Sequence, residues 1–255
     1  MFWKMLFHRR KVIFVWKMFT VFFIFAFVTT HALEEIPSYI HVCGLKDPNY
    51  DQCVMENMNN VKDKICKGFS EFNVPPSEPL NIKKIIIYDT NELKLYIKDV
   101  AITNFCDYVV NSVNTDSDRL HFSFDVTFKN FIIDALYNFD LHVLVSLAHE
   151  GPVHIQANSS MKIDLDAKVA TKNGKKEIYA AKIKSNLYAL NFEYTFPETG
   201  EELVQLHQAI RNAVDGNKKD VRIAIKPIIE NSISQVIMTI FNGITRSNYQ
   251  KLFPE

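Results

Sequence analysis

Between Ile82 and Phe196 apolar and polar residues alternate one for one. Leu93, Leu95 and Ile97 alternate with Lys94, Tyr96 and Lys98. Leu120, Phe122, Phe124, Val126 and Phe128 alternate with His121, Ser123, Asp125 and Thr127. Phe131, Ile133, Ala135, Tyr137 and Phe139 share a phase with one another, as do Met161, Ile163, Leu165, Ala167 and Val169. Tyr188, Leu190, Phe192, Tyr194 and Phe196 oppose Ala189, Asn191, Glu193 and Thr195. One apolar and one polar face per strand predicts antiparallel sheet, wet on one side. Asn173-Gly174, between two such runs, is a hairpin signal. No βα alternation recurs, which argues against a doubly wound parallel sheet.

On either side of the sheet region the period is helical. Cys53, Val54, Met58, Val61, Ile65 and Cys66 predict a helix from Pro48 to Gly68, with Gly68 as its stop. Pro75-Pro76 and Pro79 then enforce an extended crossing. After Pro197, Leu203, Leu206, Ile210, Ala213 and Val214 form one stripe, and Ile229, Ile233, Val236, Ile237, Ile240 and Ile244 form a second. A single helix over residues 218–246 would be about 44 Å long. Val221, Ile223 and Ile225 alternate like a strand, however, and Pro227 removes an internal hydrogen bond. Periodicity therefore leaves open a long kinked helix or one beginning near Pro227. No internal repeat or long linker interrupts the pattern, so residues 33–255 are read as one domain. Its long curved sheet and amphipathic helix can enclose an apolar volume or pack it solid. Alternating Phe and Val favour the packed core.

Composition changes the picture at one end. The 255 residues carry 29 basic and 29 acidic side chains, 47% hydrophobic and 23% charged residues, values of a globular protein rather than a disordered one. The first 32 residues hold Lys4, Arg9, Arg10, Lys11 and Lys17 and no acid, then an apolar run from Met18 to Val28 and small residues at Thr30-His31-Ala32. This is the pattern of a secretory signal peptide cleaved after Ala32. Lys17 splits the apolar stretch, leaving less than the ~20 residues a membrane anchor needs. Without the leader, 24 basic and 29 acidic residues remain, a net charge of −5. A mildly acidic chain argues against nucleic acid as a partner. No later apolar run is long enough for stable membrane insertion once the leader is gone.

Export through an oxidising route makes Cys43, Cys53, Cys66 and Cys106 potential disulfide partners, with three possible pairings. The turn-forming segment from Gly44 to Gln52 could bring Cys43 and Cys53 together, leaving Cys66 and Cys106 paired or free. Neither CxxC nor a zinc-spaced Cys/His cluster occurs, so no metal site is expected. Asn158-Ser159-Ser160 is a glycosylation acceptor. Catalytic motifs are weak, so no enzyme is expected. His149-Glu150-Gly151-Pro152-Val153-His154 has one residue too many for a zincin helix and reads as a hairpin turn. There is no nucleophile elbow, and no phosphate- or dinucleotide-binding loop to imply a cofactor. Asp164 and Asp166 share a strand face flanked by Lys162 and Lys168, a solvated surface rather than an acid/base pair.

Ile36-Pro37-Ser38-Tyr39-Ile40 followed by Cys43 and Cys53 resembles the mature N-terminus of the insect takeout and haemolymph juvenile hormone binding family. Lys67-Gly68-Phe69 with Asn73 to Leu80, Lys226-Pro227-Ile228-Ile229-Glu230, and the ending Leu252-Phe253-Pro254-Glu255 resemble its later landmarks in the same order. The resemblance implies an α+β fold: a long C-terminal helix wrapped by a highly curved antiparallel sheet around an apolar tunnel. It also implies one long kinked helix through Pro227 and a Cys43–Cys53 bridge beside the tunnel mouth. The chain departs from the family at Asn104 and Ala135, where relatives usually have glycine. Cys66 and Cys106 do not match the second bridge of the moth hormone carriers.

The expected function is a secreted, non-enzymatic carrier of a small hydrophobic ligand: juvenile hormone, another terpenoid or a fatty lipid. The expected lining is Phe122, Phe124, Phe128, Tyr137, Val143, Val145, Tyr188, Leu190 and Phe192 from strands, and Ile233 and Ile237 from the helix. Tyr137 and Tyr188 would offer hydroxyls to a polar ligand end. The alternatives are a surface-associated lipid-transfer protein retained by its leader, and a ligand-free interaction protein of the same fold.

Overall fold

The alternating region folds into six antiparallel strands: β1 (Leu80–Asp89), β2 (Leu93–Thr103), β3 (Tyr108–Thr115), β4 (His121–His142), β5 (Ser146–Lys172) and β6 (Lys175–Thr195). They form one sheet in the order β1-β2-β4-β5-β6, with β3 also paired to β4. This computed structural model describes residues 36–142, 146–172, 174–198, 200–246 and 248–254. The expected leader lies outside the described residues, as do Val143 and Val145. Residues Ser38–Glu255 cluster as one compact unit.

At 27 residues, β5 has a contour of about 90 Å. A flat ribbon of that length could not cover one core, and its neighbours curl it with β-bulges. Each bulge also flips the inward phase of its strand. β2 buries Leu95 and Ile97, then Val100 and Ile102 beyond Asp99, which has φ 51°. β4 buries Phe128 and then Phe131 across Asn130, with φ 50°. Asn104 adopts the left-handed φ of 58°, and its Nδ2 donates to the Asn130 carbonyl at 2.9 Å. Asparagine tolerates this conformation better than other non-glycine residues.

The helical segments depart from expectation in one detail. The N-terminal helix divides at Val61 into α1 (Tyr50–Asn60) and α2 (Lys62–Lys67). Gly68 ends α2 at φ 87°, where a Cβ would lie 2.8 Å from the Pro76 nitrogen. After β6 come α3 (Val204–Asp215), α4 (Lys218–Thr245) and a last turn, α5 (Tyr249–Leu252). α4 is one helix of 28 residues, about 42 Å long, with Pro227 inside it. The strand-like run Val221, Ile223, Ile225 is part of it.

β6 lies at the edge of the sheet, and α4 covers that edge with side chains. Leu187 N donates to Glu230 Oε1 at 2.7 Å, and Lys226 Nζ donates to the Leu187 carbonyl at 2.7 Å. Further along, Ala180 N donates to Asn242 Oδ1 at 2.8 Å, and Thr245 Oγ1 donates to the Ile178 carbonyl at 3.3 Å. The helix thus satisfies backbone groups that an edge strand would leave open.

The segment His149–His154 is not a turn. It lies within β5, where Gly151 pairs with Tyr137 and Pro152 with Leu136 of β4. β6 joins β5 only from His154 onward, so Pro152 lies on a stretch of β5 with a strand neighbour on one side only, where proline is tolerated. The hairpin expected at Asn173-Gly174 is closed by the Lys172–Lys175 pair, with Gly174 at φ 75°.

Candidate ligand-binding site

The concave face of the sheet and the inward side of α4 enclose two apolar cavities along the helix. The larger, about 240 Å³, lies beside α1 and the C-terminal half of α4. Its wall includes Phe122, Phe124 and Phe128 of β4, Ile163 and Leu165 of β5, and Ile233 and Ile237 of α4. The smaller, about 90 Å³, lies beside α3 and the N-terminal half of α4. Ile133 and Tyr137 of β4, Leu190 and Phe192 of β6, Ile210 of α3 and Ile225 of α4 are among its wall residues.

The inner face of β5 shows where one cavity gives way to the other. Val153, Ile155 and Ala157 line the smaller, and Ile163 and Leu165 the larger. Ser159 and Met161 lie between them, both buried. Nearby, Ser185 and Ser234 pair their hydroxyls at 2.8 Å, tying α4 to β6.

Asn57, Tyr108 and Thr245 on the wall of the larger cavity already have hydrogen-bond partners. Asn57 accepts from His41 N at 2.7 Å and donates to the His41 carbonyl at 2.6 Å. The Tyr108 hydroxyl donates to the Met58 carbonyl at 3.0 Å, and burial raises its pKa. Thr245 donates to the backbone of α4 and β6. A single water needs only about 10–15 Å³, but it also needs two to four polar partners. This cavity has room for water and little to hold it.

The same end is fixed covalently. Cys43 and Cys53 form a disulfide with Cα atoms 5.9 Å apart, joining the N-terminal segment to α1. Cys66 and Cys106 form a second, Cα 6.0 Å apart, joining α2 to the loop before β3. Phe253 and Leu252 of the C-terminal tail reach the cavity wall, where Cys43 N donates to the Leu252 carbonyl.

The smaller cavity is closed differently. α3 buries Leu206, Ile210 and Val214 over its end. Tyr137 is 2% exposed, and its hydroxyl lies 2.9 Å from His149 Nδ1 of β5 and 3.0 Å from His207 Nε2 of α3. The single hydroxyl proton goes to one imidazole, and the other imidazole donates its N–H to the oxygen. Burial, with the Glu198 carboxylate nearby, pushes the Tyr137 pKa up to about 12. His207 stacks on Phe196 with ring centroids 4.1 Å apart. Its pKa is lowered by desolvation, then by His149 and Arg211, with Glu198 acting in opposition.

Tyr188 is a correction. It is 54% exposed and its hydroxyl donates to Asp125 on the outer surface. Leu187 and Leu190 are both buried, so the strand changes phase at Tyr188, which the β5–β6 register skips. Several wall residues escaped the sequence reading: Ile85, Leu95 and Ile97 of β1 and β2, and Val221, Ile225 and Ile229 of α4. Their apolar alternation was visible. Which part of the helix each strand would face was not.

The geometry is that of a ligand-binding carrier: a curled antiparallel sheet closed by a long helix around apolar space. The profile of the family described as haemolymph juvenile hormone binding protein matches residues 21–254. The chain belongs to that family. Its fold is similar to that of Takeout 1 from Epiphyas postvittana, with a TM-score of 0.65 at 13% identity over 84% of this chain and 99% of that one. A lipopolysaccharide binding protein aligns with a TM-score of only 0.37 at 12% identity, over 78% of this chain and 40% of that one. No curated protein sequence matches significantly.

Proposed function

We propose that the protein is a secreted, non-enzymatic carrier that holds a small hydrophobic ligand, a terpenoid such as juvenile hormone or a fatty lipid, between sheet and helix. The observation that supports this most is the larger cavity, where about 240 Å³ of apolar space is bordered by polar groups already bonded to the protein. Apolar space of this kind stays dry and takes up hydrophobic molecules. Removing ligand surface from water contributes roughly 25 cal/mol per Å², before the entropy cost of association. Phe122, Phe124, Phe128, Ile233 and Ile237 supply surface to this cavity, and Leu190 and Phe192 to the smaller.

Orientation requires a polar contact, and the tyrosines differ in what they can offer. The Tyr188 hydroxyl points outward, and that of Tyr137 is engaged by two imidazoles. Tyr194, on the smaller cavity, has a buried hydroxyl beside the Asp215 carboxylate of α3. Binding in the smaller cavity therefore rests on apolar contact.

Secretion follows from the leader, with cleavage after Ala32 and residues 33–255 as the mature domain. Among the described residues no helix is long and apolar enough to cross a membrane. Asn158 is exposed, and its Oδ1 accepts from Asn130 N at 3.1 Å while its Nδ2 remains available for a glycan.

Displacement of the uncharged fluorophore N-phenyl-naphthylamine by a panel of terpenoids and fatty acids tests the reading. Micromolar or tighter competition is expected, and Ile163→Trp, which fills the larger cavity, should abolish it. A chain that folds but takes up neither fluorophore nor any panel member would favour the ligand-free interaction protein. A secreted product beginning at Met1 would favour the leader-retained alternative.

A further inference from the structure

The bridge Tyr137, His149 and His207 lies behind the smaller cavity, and neither histidine lines it. It joins three elements: β4 through Tyr137, β5 through His149 and α3 through His207. α3 supplies Ile210 and Val214 to the cavity wall. Its far end is tied separately, where the Tyr88 hydroxyl of β1 donates to the Ala213 carbonyl at 3.2 Å. Arg211 also lies over the Tyr194 and Phe196 rings, and Asp215 beside the Tyr194 hydroxyl. Of the polar ties, one is a tyrosine-to-backbone bond. Another depends on how many protons two imidazoles carry.

We propose that α3 is a proton-released lid: protonation of the His149–His207 pair breaks its bridge to Tyr137, and the helix lifts about its Ala213 end to let ligand leave the smaller cavity. This rests on the carrier reading above.

The proton count carries the argument. With both rings neutral, one accepts the Tyr137 hydroxyl proton and the other donates to the oxygen. Both contacts are satisfied. One added proton enters the free far nitrogen of the donating ring and leaves both contacts in place. Glu198 can compensate that first charge, since its Oε2 lies beside Gly151 on the same side as the Tyr137 hydroxyl. A second proton must take the accepting nitrogen, which turns the hydroxyl proton away and leaves two imidazolium rings on one oxygen. Arg211 of α3 already stands over the Phe196 ring on which His207 stacks, its guanidinium carbon 5.4 Å from the centroid. Repulsion between like charges then opposes closure. The charged groups around His207 are thus His149 from β5, Glu198 from the segment after β6 and Arg211 from α3, with Tyr137 of β4 between the rings. The lowered pKa of His207 has the same sense, because the closed lid favours the neutral ring.

Stopped-flow release of N-phenyl-naphthylamine, which stays uncharged throughout, tests the proposal between about pH 7.5 and about pH 5, the range in which histidine titrates. The wild-type dissociation rate should rise about tenfold on acidification. His207→Gln and His149→Gln keep a hydrogen-bonding side chain but cannot titrate, and should flatten that dependence. A wild-type rate that does not change with pH, or a dependence that survives in both variants, overturns the lid. Absence of fluorophore binding at the higher pH would instead contradict the carrier reading. In that case hydrogen exchange of the α3 amides at the two pH values decides the lid alone. Faster exchange in acid, abolished by His207→Gln, supports it, and unchanged exchange overturns it.

Discussion

The two ends of the apolar interior are built on opposite principles. Around the larger cavity, the N-terminal segment, α1, α2 and the loop before β3 are joined by two disulfides, with the chain's last residues laid alongside. Around the smaller cavity no covalent link occurs among the described residues. α3 is held there by buried aliphatic side chains, one tyrosine-to-backbone bond and the imidazole bridge. One cavity thus has covalently fixed surroundings, and the other a wall held by reversible polar contacts.

The largest test of this contrast is removal of the covalent end. Cys66→Ser with Cys106→Ser opens a crosslink spanning 40 residues. It should lower unfolding free energy by about 4 kcal/mol in urea titrations, on the chain-entropy model. Removing the Cys43–Cys53 bridge, with its separation of 10 residues, should cost less, about 3 kcal/mol. Equal or negligible losses would mean that packing, not crosslinking, holds that end.

Phe124→Ala tests the packing itself. It removes a side chain 6% exposed that stacks on Phe122 and borders the larger cavity. A loss of about 3 kcal/mol is expected, with weaker ligand uptake in the displacement assay.

At the other end the effects should be smaller and should depend on pH. Tyr137→Phe removes both imidazole contacts and should cost about 1–2 kcal/mol near neutrality. For His207 the folded-state pKa lies below its ordinary 6.5, so the unfolded chain binds more protons in that range. Its contribution is therefore full above about 6.5 and is lost as pH falls through the lowered value. Thermal melts at decreasing pH should show this loss in the wild type and a reduced one in His207→Gln. Tyr188→Ala, on the exposed outer face, should change stability by no more than about 0.5 kcal/mol and leave ligand uptake unaltered.

The contrast between the ends was only partly legible in the sequence. β4 could be read residue by residue, including the change of phase between Phe128 and Phe131, because one strand carries the whole signal. β6 could not. Its inward residues change phase at Tyr188, where Glu230 and Lys226 of α4 take up the backbone of Leu187. These helix residues are some 40 positions away in the chain, with separations of 43 and 39. No local period encodes such a contact. The resemblance to the family carried the helix through Pro227, which periodicity had left undecided.

The pairing of Cys66 with Cys106 and the joining of His207 to Tyr137 are products of the folded topology. His207 lies on the half-buried margin of the α3 stripe and had no pattern to mark it. The emptiness of the interior was also hidden. The phenylalanines of β4 have the same alternation whether they fill a core or border a cavity, and only the placement of α4 against them decides which.

Native mass spectrometry of the secreted protein tests the central claim most directly. A hydrophobic molecule held non-covalently in the interior should appear as a discrete added mass, lost on denaturation and recovered in an organic extract. A folded protein that shows only its own mass, and gains none after incubation with the terpenoid and fatty-acid panel, would contradict the account.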